Sequence, residues 1–442
     1  MGMDCQATFA QDMSLDLDLH RRYFRSCLHE FLPGAYIGLD TNRMTVVHFC
    51  VHALQLLGAC DQIDKDAVIK WIYSLQIFRA AGSDPAQLGF RGGTQLGNPF
   101  DPCHAPPPWG AGAETEAKGR RGGGSEEEEE EEGTPALLGA GLSPEYDQGH
   151  VAMAYTALAT LRALGGPGAL PPPGAPARAA LVAHVKALQR PDGAWAAVAA
   201  GSERDLRFLY CACAVSALLG DWGGVDRPRA LGYIRSCQNY DGAFGLNPCQ
   251  ESHGGSTYCA VAALQLMGEL DAFFDGGGGG GGGGDREALV RWCLERQAEG
   301  GFQGRPNKAP DSCYAFWVGA TLGLLGAGAL ADRARATAFV AACQDTAFGG
   351  FSKHPRQFPD VLHSFYSTCW LSLAGAPGLA PLDLALGVAA AAAAVPDDSS
   401  GGAAAPGSGA AAAAQLPRGD NGGDELQEEA GGGGGGSSVG QT

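Results

Sequence analysis

LQRPDGAW (188–195), CQNYDGAFG (237–245), RQAEGGFQG (296–304) and CQDTAFGGF (343–351) are four versions of one phrase: a glutamine, a short glycine-containing turn and an aromatic ring. Their glutamines, Gln189, Gln238, Gln297 and Gln344, stand 49, 59 and 47 residues apart, and the middle interval shortens to 50 without the nine-glycine run at 276–284. A looser fifth copy runs from SLQIF (74–78) to GFRGG (89–93). A fixed period of this length means an array of supersecondary units that bury a shared core between neighbours.

Each unit continues in the same way. After the turn comes an apolar, alanine-rich stretch such as HGGSTYCAVAALQLMGEL (253–270), then a break, then a second periodic stretch such as REALVRWCLERQ (286–297). Apolar positions fall at helical spacing (Leu289, Val290, Trp292, Cys293), and nothing alternates over the length of a strand. The unit is therefore an αα-hairpin, and the fold class is all-α. Its first helix is apolar nearly all round, as expected where one face meets a partner helix and the other lines an interior. Periodicity alone leaves open whether the hairpins stack as a solenoid or close into a ring.

Composition sets limits on the rest. The chain has 442 residues with 69 Gly and 26 Pro, much of this in the stretch 104–142, the 276–284 run and the segment 387–442. The division expected is a helical array in 1–103 and 143–386, an acidic insertion at 104–142, a glycine loop at 276–284 and a disordered tail at 387–442. Long insertions in hairpin loops cost little. The insertion holds nine acids against three bases and the tail seven against one, so two thirds of the net charge of −18 sits outside the array. What folds is only mildly acidic, which excludes the basic stripe of a nucleic-acid binder. No window carries the 18 or more apolar residues of a membrane span. The acidic N-terminus lacks the apolar run of a secretion signal, so a cytoplasmic chain is expected. The 14 cysteines, without paired CxxC spacing, read as reduced core thiols rather than zinc-finger ligands.

Two segments late in the array carry chemistry. GRPNKAPDSCYAFWVGATL (304–322) places Arg305, Lys308, Asp311, Cys313 and Tyr314 within ten residues, and FPDVLHSFYSTCW (358–370) supplies His363 at the equivalent position one unit later. Asp, Cys and His form a legitimate three-ligand zinc set that leaves a fourth position open. By itself an Asp-x-Cys dipeptide reads as a helix cap with a buried cysteine. Arg305 and Lys308 at the mouth of the same turn, with His253 opening the corresponding helix in ESHGGSTYC (251–259), add a cationic ring suited to a diphosphate. An aromatic set, Phe49, Phe208, Tyr210, Trp317, Phe365, Tyr366 and Trp370 with Arg207 among them, recurs near the starts of these helices. It could line a funnel for a long apolar ligand with the cations at its rim.

At these residues the sequence resembles the β subunits of protein prenyltransferases, and among them those of the type I protein geranylgeranyltransferases. The resemblance runs through RMTVVHF (43–49), WIYSLQI (71–77), GFRG (89–92), YDQGHVAMAYTAL (146–158), GSERDLRFLYCA (201–212), ESHGGSTYC, GRPNKAPDSCYAFWVGATL and PDVLH (359–363). It implies a closed α/α barrel that takes geranylgeranyl diphosphate and alkylates the cysteine of C-terminal CaaX proteins such as small GTPases. The implied zinc ligands are Asp311, Cys313 and His363, and the implied diphosphate contacts His253, Arg305, Lys308 and Tyr314. A prenyl channel would include Thr45, Phe49, Arg207, Tyr210, Cys259 and Trp317. The peptide terminus would meet His150, Ala152, Phe208 and Trp317, with Leu362 near the preceding side chain.

The resemblance also implies a heterodimer in which a separate prenyltransferase α subunit adds a lysine to the diphosphate. Lys353 stands where farnesyl enzymes carry a magnesium-binding Asp, so Mg²⁺ is expected to be dispensable. Thr45 stands where they carry Trp, which favours a 20-carbon donor, whereas Tyr366 agrees with the farnesyl enzymes. Terpene cyclases share the repeats but need an acidic motif, and neither Asp-x-Asp-Asp nor Asp-Cys-Thr occurs here. A toroid serving only as an interaction platform would have no use for Asp311, Cys313 and His363 beside the cations.

Overall fold

The computed structural model describes residues 15–29, 39, 41–77, 84–94, 148–275 and 284–393. The insertion 104–142, all of the glycine run except Gly284, and the chain beyond 393 lie outside the described residues. The helices come in pairs: α1 (Leu17–His29) with α2 (Arg43–Leu56), α3 (Lys65–Ser74) with α4 (Val151–Gly165), α5 (Pro176–Leu188) with α6 (Leu206–Leu219), and α7 (Arg227–Cys237) with α8 (Gly254–Met267). After the short α9 (Leu270–Phe274) come α10 (Arg286–Glu295) with α11 (Ser312–Leu324) and α12 (Arg333–Ala342) with α13 (Val361–Leu373), and α14 (Ala390–Ala393) follows.

The second helix of each pair is an inner one. Each inner helix packs on the next, from α2 through α4, α6, α8, α11 and α13, and α13 packs back on α2, so the array closes into a six-hairpin ring. Burial separates the layers. In α8 eleven of fourteen residues are buried, whereas α7 buries Ala230, Tyr233, Ile234 and Cys237, the single stripe at i, i+3, i+4 and i+7 of a surface helix.

The glutamine phrase is a closed turn. Each glutamine pairs as a β-bridge with the aromatic that follows it: Gln76 with Phe90, Gln189 with Trp195, Gln238 with Phe244, Gln297 with Phe302 and Gln344 with Phe351. The aromatic rings are fully buried. These two-residue ribbons are the strands that alternation could not have revealed, since a pair of residues has no period. Gln238 donates to the Gly242 carbonyl of its own turn (3.0 Å), whereas three of the other glutamine side chains reach a neighbouring unit. Gln189 accepts from the Asp226 amide at 2.9 Å and donates to its carbonyl at 3.0 Å, at the N-cap of α7. Gln297 does the same at Asp332, the N-cap of α12, at 3.0 and 2.7 Å. Gln344 meets His20 of α1 instead (3.0 Å), and His20 Nδ1 accepts from the Gly350 amide (2.9 Å) while its ring stacks on Phe351. That contact joins the last unit to the first. Gly193 in the turn holds φ +93°, and an added Cβ would run into the Arg229 carbonyl of α7. Only glycine fits there.

The expected start of a disordered tail at residue 387 is too early. Leu382–Asp383 and Val388–Ala389 form an antiparallel hairpin, with Leu386 and Val388 buried, and α14 follows at once. The hairpin plugs the ring, so its apolar residues belong to the core even though the alanine run beyond them reads as low complexity.

The buried histidines give a pH dependence. Burial lowers His48 to about 3 and both His150 and His184 to about 4. Between about pH 4 and 6.5 the unfolded chain therefore binds more protons than the folded one, so stability rises with pH across this window. The unfolding midpoint should fall progressively as pH drops from 6.5 toward 4. A midpoint that holds constant down to pH 4.5 would contradict this ionisation scheme.

Candidate active site

The inner helices start at the end of the ring that carries the turns; Asn42 before α2 makes no side-chain cap, but in α4, α6, α8, α11 and α13 the N-cap is a polar residue aimed at a helical amide. His150 Nδ1 accepts from Ala152 (3.1 Å), Asp205 from Arg207 (2.9 Å), His253 Nδ1 from Gly255 (3.1 Å), Asp311 from Cys313 (3.0 Å) and Asp360 from His363 (2.9 Å). Capping satisfies amides that have no helical partner. The capping role of Asp311 and its candidate ligand role fall on one carboxylate: Oδ1 caps the Cys313 amide and also faces His363, while Oδ2 faces Lys353.

Asp311, Cys313 and His363 converge across the contact between α11 and α13, with one ligand atom from each within 4.8 Å of the others. His363 Nε2 is 3.2 Å from Asp311 Oδ1, and Lys353 Nζ is 3.6 Å from Oδ2 of the same carboxylate. His363 Nδ1 donates to Asp360 Oδ2 at 2.6 Å, which fixes the ring and leaves Nε2 turned to the cluster. Metal-ligating histidines characteristically carry such a second partner. Asp360 is not among the site residues expected from sequence, and its signal was its place three residues before His363 in PDVLH.

Burial works against charge at this site. Burial raises the Cys313 thiol far above its ordinary value, with Asp311 adding to the effect. For Asp311, burial opposes ionisation, but hydrogen bonds from His363 and Cys313 outweigh it and hold the carboxyl below its ordinary value. His363 is pulled down by burial, yet its bonds to Asp311 and Asp360 raise it to about 9. Two protonated donors around one carboxylate are the arrangement a divalent cation replaces, releasing the protons as it binds. An oxygen, a sulfur and a nitrogen donor from three side chains fit zinc.

Beside the cluster lies the second group. Tyr314 Oη is 2.9 Å from His253 Nε2, and Arg305 pairs with Glu251 at 2.6 Å. A cavity of about 530 Å³ is lined there by Arg207, Glu251, His253, Arg305 and Trp317 among others. His253 was expected in a cationic ring; burial and the neighbouring Arg305 charge lower its pKa from the ordinary histidine value. Lys308 is exposed on its loop and lines neither this cavity nor the one below.

Arg207, Cys259 and Trp317 also border a second cavity of about 210 Å³ inside the ring, so the two adjoin. Thr45, Phe49, Ala152, Tyr210 and Tyr366 line it, as does the hairpin tip at Leu386 and Gly387. Its walls are aromatic: Phe49 stacks on Phe365 at 4.9 Å, and Tyr366 lies 4.2 Å from Trp317. Trp370, expected in the funnel, faces the outer layer, where its Nε1 donates to Thr337 and its ring covers Gly319. Phe208 lies under the Arg207 guanidinium (5.1 Å) and edge-on to His150 (5.6 Å), a cluster distinct from the lower cavity. Leu362 stays at the rim, 39% exposed. Tyr155, Tyr258 and Phe316 line the lower cavity as well, and sequence reading missed them because buried aromatics on an all-round apolar helix do not announce which face they take.

Residues 15–388 match the Prenyltransferase alpha-alpha toroid domain, and the chain belongs to that family. Within it, the chain is 37% identical to the geranylgeranyl transferase type-1 β subunit of Arabidopsis thaliana over 75% of this chain and 78% of that protein, and 33% identical to the Dictyostelium discoideum protein of the same name over 74% and 81%. The fold superposes on the solved Candida albicans protein geranylgeranyltransferase-I complexed with GGPP with a TM-score of 0.65 at 20% identity, covering 86% of this chain and 97% of that one.

If Asp360 orients His363 as the geometry indicates, Asp360→Asn should weaken zinc retention about 10- to 100-fold with the fold intact. Titration with a competing chelator, followed by metal analysis, reads this directly. Unchanged retention would make Asp360 a helix cap and nothing more.

Proposed function

We propose that this chain is the catalytic β subunit of a cytoplasmic, heterodimeric protein geranylgeranyltransferase type I. It moves a geranylgeranyl group from its diphosphate to the cysteine thiol of CaaX proteins such as small GTPases, with a prenyltransferase α subunit as partner. The supporting observation is the meeting of three environments: the Asp311, Cys313 and His363 cluster, the polar cavity lined by Arg305 and by His253, whose Nε2 meets the Tyr314 hydroxyl, and the apolar lumen.

Zinc held by those three side chains would supply Lewis acidity that lowers the pKa of the incoming thiol. The chain's own residues do the rest. The lumen takes the isoprenoid out of water, at about 0.8 kcal/mol per buried CH₂. That leaves the diphosphate at the polar mouth, where the Arg305 guanidinium and the Tyr314 hydroxyl face the charge that grows as the C1–O bond breaks. The thiol sulfur forms the new bond to C1, its proton passes to solvent, and diphosphate leaves. His253 acts through its hydrogen bond with the Tyr314 hydroxyl (2.9 Å), which orients that hydroxyl.

Donor choice is read at two positions. Thr45 is small and its hydroxyl is spent on Met153 Sδ (3.7 Å), leaving space at the wall of the lumen. Tyr366 is packed between Phe316 and Trp317, where a phenolic oxygen removes little room. The 20-carbon donor is therefore preferred, with farnesyl transfer as a side activity.

Co-expression with an α subunit and assay against both diphosphates, with peptides ending in Leu or in Ser or Met, tests the assignment. At equal low donor concentration geranylgeranyl should be transferred faster to the Leu-ending peptide, and Thr45→Trp should shift preference toward farnesyl. Faster farnesyl transfer by the unaltered protein would sink the type I assignment.

Lys353 gives a separate expectation. Its ammonium lies 3.6 Å from Asp311 Oδ2, beside the metal cluster, and is half-exposed. A fixed positive charge there can take over from a divalent ion on the leaving group. Turnover should survive chelation of magnesium once zinc is loaded, and Lys353→Asp should create a magnesium requirement. A collapse of the unaltered enzyme's rate without magnesium would refute the role.

A further inference from the structure

The polar cavity holds a carboxylate that the transfer chemistry does not use. Glu251 lines it beside Arg305 and His253, and its Oε2 accepts from Arg305 Nη1 at 2.6 Å. A carboxylate is an unexpected companion for a cation that meets a diphosphate, because it both occupies the guanidinium and repels the anion.

The pair is built across two units. The first amide of α8, Gly254, donates to the Gly304 carbonyl at 2.7 Å, which pins the turn carrying Arg305 against the helix that His253 caps. Glu251 stands two residues before that cap, between two tied neighbours. The Gln250 carbonyl and the Ser252 hydroxyl both accept from Asn239 Nδ2 (2.7 and 2.9 Å), and Ser252 donates to Asp241 (2.7 Å). The backbone is thus fixed while the carboxylate reaches out, 53% exposed. His253 feels both charges: burial lowers its pKa most, Arg305 lowers it further and Glu251 raises it.

The next interface shows that the repeat does not require the pair. There Ser312 donates to the Lys353 carbonyl in the same way (3.1 Å), but the corresponding places hold Ala309 and His354, and His354 Nδ1 donates to the Pro310 carbonyl instead (2.9 Å). Energetics agree. An ion pair with both partners about half in water contributes about 0–1 kcal/mol to stability, so the fold does not depend on it. A diphosphate, in turn, outcompetes a single carboxylate for the planar guanidinium fork, which matches phosphate oxygens bidentately.

We propose that Glu251 is the resident counter-ion of Arg305, a positioning residue that competes with diphosphate for the guanidinium. It holds Arg305 over the cavity before the donor binds, gives it up to the donor's diphosphate, and takes it back as inorganic diphosphate leaves. The inference rests on the reading of this cavity as the diphosphate site. Such an exchange limits affinity for the charged head without touching the isoprenoid, so the cleaved head departs readily.

The test uses the heterodimer and reads the dissociation constants of geranylgeranyl diphosphate, inorganic diphosphate and geranylgeraniol, which has the tail without the charge, along with zinc content and unfolding midpoint. Glu251→Gln, which removes the charge and keeps the shape, should tighten both diphosphates about fivefold, the scale of one like charge a few ångströms away in a wet cleft, and leave geranylgeraniol unchanged. In an Arg305→Gln background the same substitution should lose most of its effect, because nothing is left to compete for. Glu251→Ala, the residue the next unit carries at Ala309, should act in the same direction and carries the test if the Gln variant does not fold. Weaker or unchanged diphosphate binding by folded, zinc-loaded variants would overturn the counter-ion role, as would an undiminished effect without Arg305. An unaltered heterodimer that binds neither diphosphate would instead overturn the reading of the cavity itself, so the two failures are distinct.

Discussion

Everything in this molecule depends on a glycine turn pressed against the next helix. At Gly193 and Gly349 the backbone runs at positive φ with no space for a side chain, because the carbonyl of the following unit's outer helix, Arg229 in one case and Leu19 in the other, lies where Cβ would be. The glutamine before the turn adds a pair of hydrogen bonds to that helix's N-terminus. Turn and helix contact therefore fix the rotation from one hairpin to the next. The array closes with α13 packed on α2, and His20 takes the place that an N-cap aspartate holds elsewhere. Ring closure follows from repeating one local geometry, and no special sealing element is required.

The same geometry makes the site. Because every turn feeds an inner helix in the same direction, all the inner N-termini gather at one end, and each needs a capping side chain. The chain fills those positions with groups that can also bind: His150, Asp205, His253, Asp311 and Asp360. A structural requirement thus delivers carboxylates and imidazoles to one rim. Neighbouring units bring Asp311 and His363 together although 52 positions separate them. Low dielectric then sharpens every interaction there, as the opposite displacements of Cys313 and Asp311 show.

The lumen is the counterpart of the rim. Helices apolar on all faces can only be stable if both layers are dry, and the inner helices achieve this by facing outer helices on one side and the aromatic lining, closed below by the 382–389 hairpin, on the other. The ring therefore carries a polar mouth and an apolar interior along one axis, the arrangement an amphiphile with a charged head and a hydrocarbon tail requires.

The glutamine phrase and its spacing determined the hairpin unit, its length and its all-α class, because period and glycine placement are local properties that survive in one dimension. The chemistry of Asp311, Cys313, Arg305 and Tyr314 was legible for the same reason, being packed into one short stretch, with His363 at the equivalent place one unit on. What the tertiary structure alone decided is which residues share a space. Ring closure, the contact of Trp370 with the outer helix α12, the exposure of Lys308, the lowered pKa of His253 and the support of His363 by Asp360 all depend on packing and burial between units. The hairpin at 382–389 is the clearest case. Its sequence is short, alanine-rich and next to a low-complexity stretch, and only the hydroxyls of Tyr155 and Tyr258, from units more than a hundred positions away, make it the floor of the cavity.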